Sequence, residues 1–243
     1  MGYRADRINR FMAMQQSGPI GGLAYLEIGV HEGSTLAEVN CGRKVGVDPS
    51  FSPEREAVQA KVGDHVTLHE MTSNSYFEVS QETFDFIYID GLHHWEQVYS
   101  DFVCSLARLR PGGLILLDDT LPIDWFSMRR NKAFSIQSRR FLKPKARHRH
   151  AWHGDVFKVV PLVASFHRDL EWATFDRGNG QTLFWRRLEW ADEHSSSTGS
   201  PVTTSERKPL RRIGNEEYFW FLKNRALFQI VSEQGFRLSR RAS

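Results

Sequence analysis

Cysteine is scarce in this 243-residue sequence, which contains only Cys41 and Cys104. Two cysteines without a CxxC spacing do not form a disulfide framework or a structural zinc cluster, and a reducing, cytoplasmic setting is therefore expected. Long apolar runs are also missing, since no stretch approaches the roughly 20 apolar residues of a membrane-spanning helix. The N-terminal residues mix polar and apolar side chains, unlike a secretory signal. We expect a protein that is neither exported nor embedded in a membrane.

Acidic residues are absent from one segment of the chain. None lies between Asp124 and Asp155, although the whole sequence has 29 Asp and Glu against 32 Lys and Arg, a net charge of +3. Basic charge concentrated in this way indicates an anionic partner, and a solvated loop is the alternative. The segment holds nine positive charges, Arg129, Arg130, Lys132, Arg139, Arg140, Lys143, Lys145, Arg147 and Arg149.

Short apolar runs alternate with helix-length polar segments from residue 23 to 119, as in repeated βα units around a parallel sheet. A Gly-Asn-Gly turn between two later β-rich runs predicts a hairpin. The sequence therefore predicts an α/β fold whose sheet ends in an antiparallel strand. The runs are Leu23–Gly29, Lys44–Asp48, Val66–Met71, Phe84–Asp90, Leu114–Asp119, Glu171–Phe175 and Thr182–Arg187.

Composition divides the sequence into four parts. A helical segment over residues 1–20 precedes the main domain over residues 21–190, which contains the basic insertion at about 124–154. Residues 191–210 are rich in Ser, Thr and Pro, which is typical of a flexible linker. Residues 211–243 form an aromatic helical segment that packs either on its own chain or on a second subunit, so a homo-oligomer is one expectation.

The first apolar run ends in a loop that is suited to ligand binding. Gly29 and Gly33 let the backbone approach a ligand closely, and the helix that follows offers free amides. Asp48, 19 residues past Gly29, ends the second run, where a carboxylate accepts hydrogen bonds from ribose hydroxyls. Neither GxGxxG nor GxxxxGK[ST] occurs, and Glu27 would repel a pyrophosphate. These features favour S-adenosylmethionine, whose amino-acid tail and sulfonium suit the Glu27–Gly33 loop; an ordinary βαβ turn is the alternative.

With these motifs in this order, the sequence resembles the class I S-adenosylmethionine-dependent methyltransferases over roughly residues 20–190. The motifs are the E-x-G-x-x-x-G loop at Glu27–Gly33, Gly46–Asp48, Phe84–Gly91 and Leu109–Gly113. The resemblance is greatest to metal-dependent O-methyltransferases of sugars and sugar-bearing natural products. It implies a Rossmann-like, seven-stranded, mostly parallel sheet with helices on both faces. The cofactor site would comprise Glu27, Gly29, Val30, His31, Gly33, Ser34, Thr35, Asp48, Pro49, Thr72, Ser73 and Asp90, with His31 replacing a glycine that many members have.

Three carboxylates follow two strands that are expected to be neighbours. Asp90, Asp118 and Asp119 should meet at one edge of the sheet, where unpaired carboxylates repel one another unless a cation joins them. Oxygen ligands favour Mg²⁺, with Mn²⁺ or Ca²⁺ as alternatives. The resemblance also implies a divalent metal here. The alternative is that Asp118 and Asp119 cap a helix and Asp90 contacts only the cofactor.

Methyl transfer to an aliphatic hydroxyl needs a base that removes the hydroxyl proton. His93 is the candidate, because it matches a histidine that is frequent in the resembling branch and titrates near neutrality. His94 and a metal-bound Asp90 are alternatives, since Leu92 stands where some relatives carry another acid. The segment His153–Lys158 resembles one that recurs in this branch, which implies that His153 or Asp155 lines the acceptor pocket.

The function expected from the sequence is a metal-dependent O-methyltransferase acting on a small polyhydroxylated acceptor. The basic insertion would attract this acceptor if the acceptor is anionic. Two alternatives stay open. A nucleic-acid methyltransferase could use the basic insertion to bind phosphates, although base methylation needs no carboxylate-bound metal. A non-catalytic protein could use the C-terminal segment for assembly.

Overall fold

The computed structural model describes residues 2–15, 20–143, 145, 148, 150–187, 217–233 and 236. The strands are β1 (Ala24–Ile28), β2 (Arg43–Asp48), β3 (Val66–Glu70), β4 (Phe84–Ile89), β5 (Leu109–Leu117), β6 (Leu170–Phe175), β7 (Gln181–Arg186) and β8 (Ile230–Val231). The α-helices are α1 (Tyr3–Gln15), α2 (Ser34–Glu38), α3 (Arg55–Val62), α4 (Ser73–Val79), α5 (Trp95–Ala107), α6 (Lys132–Leu142), α7 (Val159–Phe166) and α8 (Glu217–Lys223). Short 3₁₀ turns lie at Ile20–Gly22, Val156–Lys158 and Arg225–Phe228.

The strands form one sheet in the order β3-β2-β1-β4-β5-β7-β6-β8. Strands β1 to β5 are parallel, and β7 is antiparallel to both β5 and β6. This confirms the predicted α/β sheet with its antiparallel hairpin strand. The described residues give eight strands instead of seven, because Ile230 and Val231 pair with β6. Both are β-branched residues that favour a strand, and β6 offers them an open edge.

Apolar residues cover both faces of the sheet because alternate side chains of a strand point in opposite directions. Tyr25 and Phe86 belong to the cluster that α1, α2 and α3 cover. Leu26 and Ile87 belong to the cluster beneath α4, α5, α7 and α8. Helices on both faces of the sheet are therefore confirmed, and the carboxyl ends of the parallel strands meet at one edge.

The N-terminal and C-terminal segments pack on this body. Helix α1 buries Ala5, Ile8, Phe11 and Met12. In the C-terminal segment, Phe221 is buried on the described part of its own chain. The domain boundaries stay predictions, and the predicted linker over 191–210 lies outside the described residues. None of the described helices is long and apolar enough to cross a membrane.

The basic insertion contains α6, and two of its described arginines pair with acids, one on α5 and one at the start of the insertion itself. Arg130 donates to both carboxylate oxygens of Glu96 at 2.7 and 2.8 Å. Buried Arg139 donates to both oxygens of Asp124 at 3.0 and 2.7 Å. Arg147 and Arg149 lie outside the described residues. Ion pairs with Glu96 and Asp124 thus offset part of the positive charge of the insertion.

Candidate active site

A cavity of about 840 Å³ opens at the carboxyl ends of β1, β2 and β4. Of the predicted cofactor residues, only Gly33 is missing from its walls. Gly33 instead precedes α2 with a φ of 70°, and a Cβ there would lie 2.9 Å from Val58 and from Val62. The predicted residues in the walls are Glu27, Gly29, Val30, His31, Ser34, Thr35, Asp48, Pro49, Thr72, Ser73 and Asp90.

Gly29 is required by the close approach of β1 and β4. Its φ is +88°, and a Cβ built there would lie 2.3 Å from the carbonyl oxygen of Asp90. The Gly29 N–H donates to the Val47 carbonyl at 2.9 Å, which ties the loop to β2 as well. The glycine therefore sets the shape of the cavity floor where the three strands end.

Asp48 hydrogen-bonds to the loop that follows β1, beside which it was predicted to lie. One carboxylate oxygen accepts from the His31 N–H at 2.8 Å and the other from the Ser50 N–H at 2.9 Å. Each carboxylate oxygen keeps a further lone pair. Asp48 therefore orders the cavity wall and retains the capacity to accept from a ligand hydroxyl.

Glu27 is a buried acid in the cavity wall. The Tyr25 hydroxyl donates to its carboxylate at 2.7 Å. Burial raises the pKa of Glu27 to about 8, since a carboxylate loses hydration inside the protein. A ligand with a positive charge would stabilise the ionised Glu27 carboxylate, which agrees with the class of ligand expected from the sequence.

Thr72 and Ser73 lie at the start of α4 and line the cavity. The Thr72 hydroxyl caps this helix by accepting from the Ser75 N–H at 3.2 Å. Thr72 therefore starts α4 and also lies at the cavity wall.

Asp118 does not join the other two acids around an open position. Its Oδ2 accepts from Arg4 Nε at 2.6 Å and from the Tyr88 hydroxyl at 2.5 Å. Its Oδ1 accepts from the Asp119 N–H at 2.8 Å. No α-helix begins within residues 118–131, all of which are described, so capping of a helix by Asp118 and Asp119 is not observed.

Asp90, His93 and Asp119 form the group that could hold a metal ion. One donor atom from each lies within 4.8 Å of the others. His93 Nδ1 is 2.8 Å from Asp119 Oδ2, and His93 Nε2 is 3.6 Å from Asp90 Oδ1. Asp119 Oδ1 is buried without a hydrogen-bond partner. A buried carboxylate oxygen whose lone pairs have no partner fits a divalent cation, which prefers oxygen ligands.

The pKa values of this group show strong mutual interaction. Burial and the neighbouring Asp118 raise the pKa of Asp90 to about 8. Burial alone would lower the pKa of His93, but the hydrogen bond to Asp119 and the nearby carboxylates raise it overall. Burial would raise the pKa of Asp119, but the interaction with His93 lowers it overall. The backbone of Asp119 has a φ of +58°, an uncommon conformation that turns its carboxylate toward His93.

The other sequence candidates lie at the edge of this site or behind it. His94 occupies the N-cap position of α5 without a side-chain cap hydrogen bond, and it is not among the cavity residues. Asp155 is buried and accepts from the Trp95 N–H at 3.0 Å, which makes it part of the scaffold of α5. His153 is buried behind the cavity wall, with Nε2 3.9 Å from Asp119 Oδ1.

Several cavity residues were not among the predicted cofactor, catalytic or metal residues. Arg4 comes from α1, and Asn179 from the turn before β7. Trp152 stacks on the His93 ring, with centroids 4.7 Å apart and planes at 11°. Lys132 places its ammonium 5.4 Å from the Trp152 centroid. Only the aromatic residues within the basic insertion could have marked Trp152 in advance.

Comparison with known proteins gives a match to a family model over part of the chain and a shared fold. Residues 26–120 match the family model described as a methyltransferase domain. No curated protein is significantly similar to the chain in sequence. An O-methyltransferase from Bacillus cereus in complex with SAH is 14% identical, with a TM-score of 0.52 over 77% of this chain and 82% of that chain. The cofactor-bound protein Rv0187 from MTB is 15% identical, with a TM-score of 0.53 over 77% and 81%.

The family match begins inside β1 and ends just after Asp119, so it includes the glycine loop, Asp48 and the acidic group. At these identities the solved structures show a shared fold. Residues 26–120 therefore resemble a methyltransferase domain, and the chain shares the fold of these solved methyltransferase structures, which is the α/β fold that its sequence predicts.

Proposed function

We propose that the protein is an S-adenosylmethionine-dependent O-methyltransferase that uses a divalent metal and acts on a hydroxyl of a small, polyhydroxylated acceptor. The observation that carries this proposal is the position of Asp90. It lines the cofactor cavity and also belongs to the group that fits a metal. A methyl donor in the cavity and a hydroxyl beside that group would therefore be neighbours.

In this proposal Asp90 and Asp119 hold the metal, most simply Mg²⁺, which is commonly bound by one or two carboxylates together with substrate oxygens. When bound, the ion lowers the pKa of an acceptor hydroxyl and orients it. Mn²⁺ and Ca²⁺ are the alternatives. Asp118 stays outside the ligand set because Arg4 and Tyr88 occupy it.

His93 then acts as the base that takes the hydroxyl proton. Asp119 holds its Nδ1, and Trp152 fixes the plane of the ring by stacking, so Nε2 faces the Asp90 side of the site. His94 lies away from the cavity, which leaves Asp90 as the alternative base. The variant His93→Gln separates the roles: a base loses turnover and keeps metal affinity, whereas a ligand loses both.

The acceptor is proposed to be anionic, because Lys132 lines the open side of the cavity next to Trp152. We expect Lys132→Met to raise the acceptor KM about fivefold with little change in kcat, the size expected for a partly exposed charge pair. Lys143→Met, at the C-terminal cap of the same helix and outside the cavity walls, is the matched control. An unchanged KM in Lys132→Met would remove the argument for an anionic acceptor.

Glu27 provides a test of how the cofactor binds. Its pKa of about 8 means that it is mainly protonated at pH 7. A cationic ligand favours the carboxylate, so binding should release up to about one proton at pH 7 and fewer as the pH rises above 8. Calorimetry in buffers of different ionisation enthalpy measures this number. Glu27→Gln should release none, and persistent release in that variant would assign the proton to another group.

The proposed function itself is tested by incubation with methyl-labelled S-adenosylmethionine and a panel of polyhydroxylated metabolites, followed by mass spectrometry. Transfer to a hydroxyl that a chelator stops and Mg²⁺ or Mn²⁺ restores is the expected result. Transfer that persists in chelator would sink the metal assignment and leave the cofactor assignment intact. Absence of transfer to small acceptors, together with transfer to RNA, would favour the nucleic-acid alternative.

Two further expectations from the sequence stay predictions. Location in the cytoplasm rests on the low cysteine content; Cys41 and Cys104 are both free thiols. Assembly into a homo-oligomer rests on the aromatic C-terminal segment, where Phe221 and Phe228 are already buried on the protein's own body.

A further inference from the structure

Arg4 brings a positive charge from α1 into the acidic end of the sheet. Its Nε lies 2.6 Å from Asp118 Oδ2, and its Nη2 lies 3.5 Å from Asp90 Oδ2. The buried apolar face of α1 fixes the helix on the sheet, so the guanidinium has a defined position in the cavity wall. The acidic group thus contains a cation that the chain itself supplies.

Both carboxylate oxygens of Asp118 accept hydrogen bonds from the protein. Arg4 and the Tyr88 hydroxyl occupy one oxygen, and the Asp119 N–H occupies the other. Asp119, by contrast, has one buried carboxylate oxygen without a hydrogen-bond partner. The structure therefore separates two adjacent acids into one that is bound by the protein and one that is open to a ligand.

We propose that Arg4 is a positioning residue that removes Asp118 from the metal-binding group and lowers the affinity of the site for divalent ions. This inference rests on the metal proposed for Asp90 and Asp119. A divalent ion bound to Asp90 would lie close to a guanidinium that contacts the same carboxylate, and like charges at such distances repel strongly. The metal would consequently bind weakly until acceptor oxygens complete its coordination.

The test is a calorimetric titration of Mn²⁺ into the metal-free, full-length protein without acceptor. Arg4→Met keeps the length of the side chain and removes its charge, and we expect it to bind Mn²⁺ about tenfold more tightly than the wild type, or better. Arg10→Met removes an equal charge from the same helix away from the site and should leave Mn²⁺ affinity unchanged. Affinity in Arg4→Met that is equal to or weaker than that of the wild type would overturn the inference.

Asp118→Asn supplies an independent check that does not alter Arg4. If Asp118 is not a ligand, this variant loses only the through-space attraction of one nearby charge, so we expect its Mn²⁺ affinity to fall by less than about tenfold. A tenfold weaker affinity would make Asp118 a ligand and contradict the proposed role of Arg4. If no variant binds Mn²⁺, this inference and the metal assignment both fail, while titration with S-adenosylmethionine still reports separately on the methyltransferase assignment.

Discussion

Asp119→Asn is expected to lower kcat for methyl transfer by about a thousandfold, within the range typical of losing a base together with its metal. Two features of Asp119 explain this loss. Its Oδ2 lies 2.8 Å from His93 Nδ1, and its Oδ1 has no hydrogen-bond partner among the described residues. Asparagine keeps the shape of the side chain and tolerates the positive φ of this position. The variant therefore removes charge without forcing the backbone to change.

The measurement is steady-state methyl transfer, together with calorimetric binding of S-adenosylmethionine. We expect cofactor affinity to change by less than about threefold, because the cofactor residues lie on other strand ends. Asp85→Asn is the matched control: Asp85 lies on β4 and pairs with Arg110 at 2.8 Å, and its loss should leave kcat within twofold of the wild type. Comparable kcat in Asp119→Asn and the wild type would exclude Asp119 from the chemistry.

Gly29→Ala is expected to abolish cofactor binding and to destabilise the fold by about 3 kcal/mol or more, the sum of backbone strain and overpacking. The new Cβ would lie 2.3 Å from the Asp90 carbonyl oxygen, and the φ of +88° disfavours any side chain. Relief of this clash would push β1 and β4 apart at the cavity floor. Urea unfolding and titration with S-adenosylmethionine measure the two effects.

Gly112→Ala is the control for backbone strain alone. Its φ is +75°, but nothing lies within 4 Å of the Cβ position. We expect it to cost about 1 kcal/mol and to leave cofactor affinity unchanged. Equal losses in Gly29→Ala and Gly112→Ala would show that strain, and not the contact with Asp90, accounts for the effect at the loop.

The sheet was predictable because its signals are local. Apolar runs, Gly29 and the Gly-Asn-Gly turn each determine a conformation within a few residues, and the parallel order then follows from short βα connections. The beginning of β5 was less predictable. The strand starts at Leu109 instead of Leu114, because the Arg-Pro-Gly-Gly segment enters the sheet with a shift in register against β4.

The site was predictable only in part, because its electrostatics depend on residues that are distant in sequence. Arg4 meets Asp118 across 114 residues, and no local pattern in either segment indicates the pair. Arg130 likewise pairs with Glu96, and Arg139 pairs with Asp124. The three acids lie at one edge of the sheet because their strands are neighbours, but the partner of each acid is set by packing.

The most direct test of the account is a calorimetric titration of S-adenosylmethionine into the wild-type protein and into Glu27→Gln. We expect the wild type to bind S-adenosylmethionine at one site with micromolar affinity and to release protons at pH 7. We expect Glu27→Gln to bind it more weakly and without proton release. Absence of binding in the wild type at submillimolar cofactor, with the protein folded, would contradict the assignment of this cavity to S-adenosylmethionine.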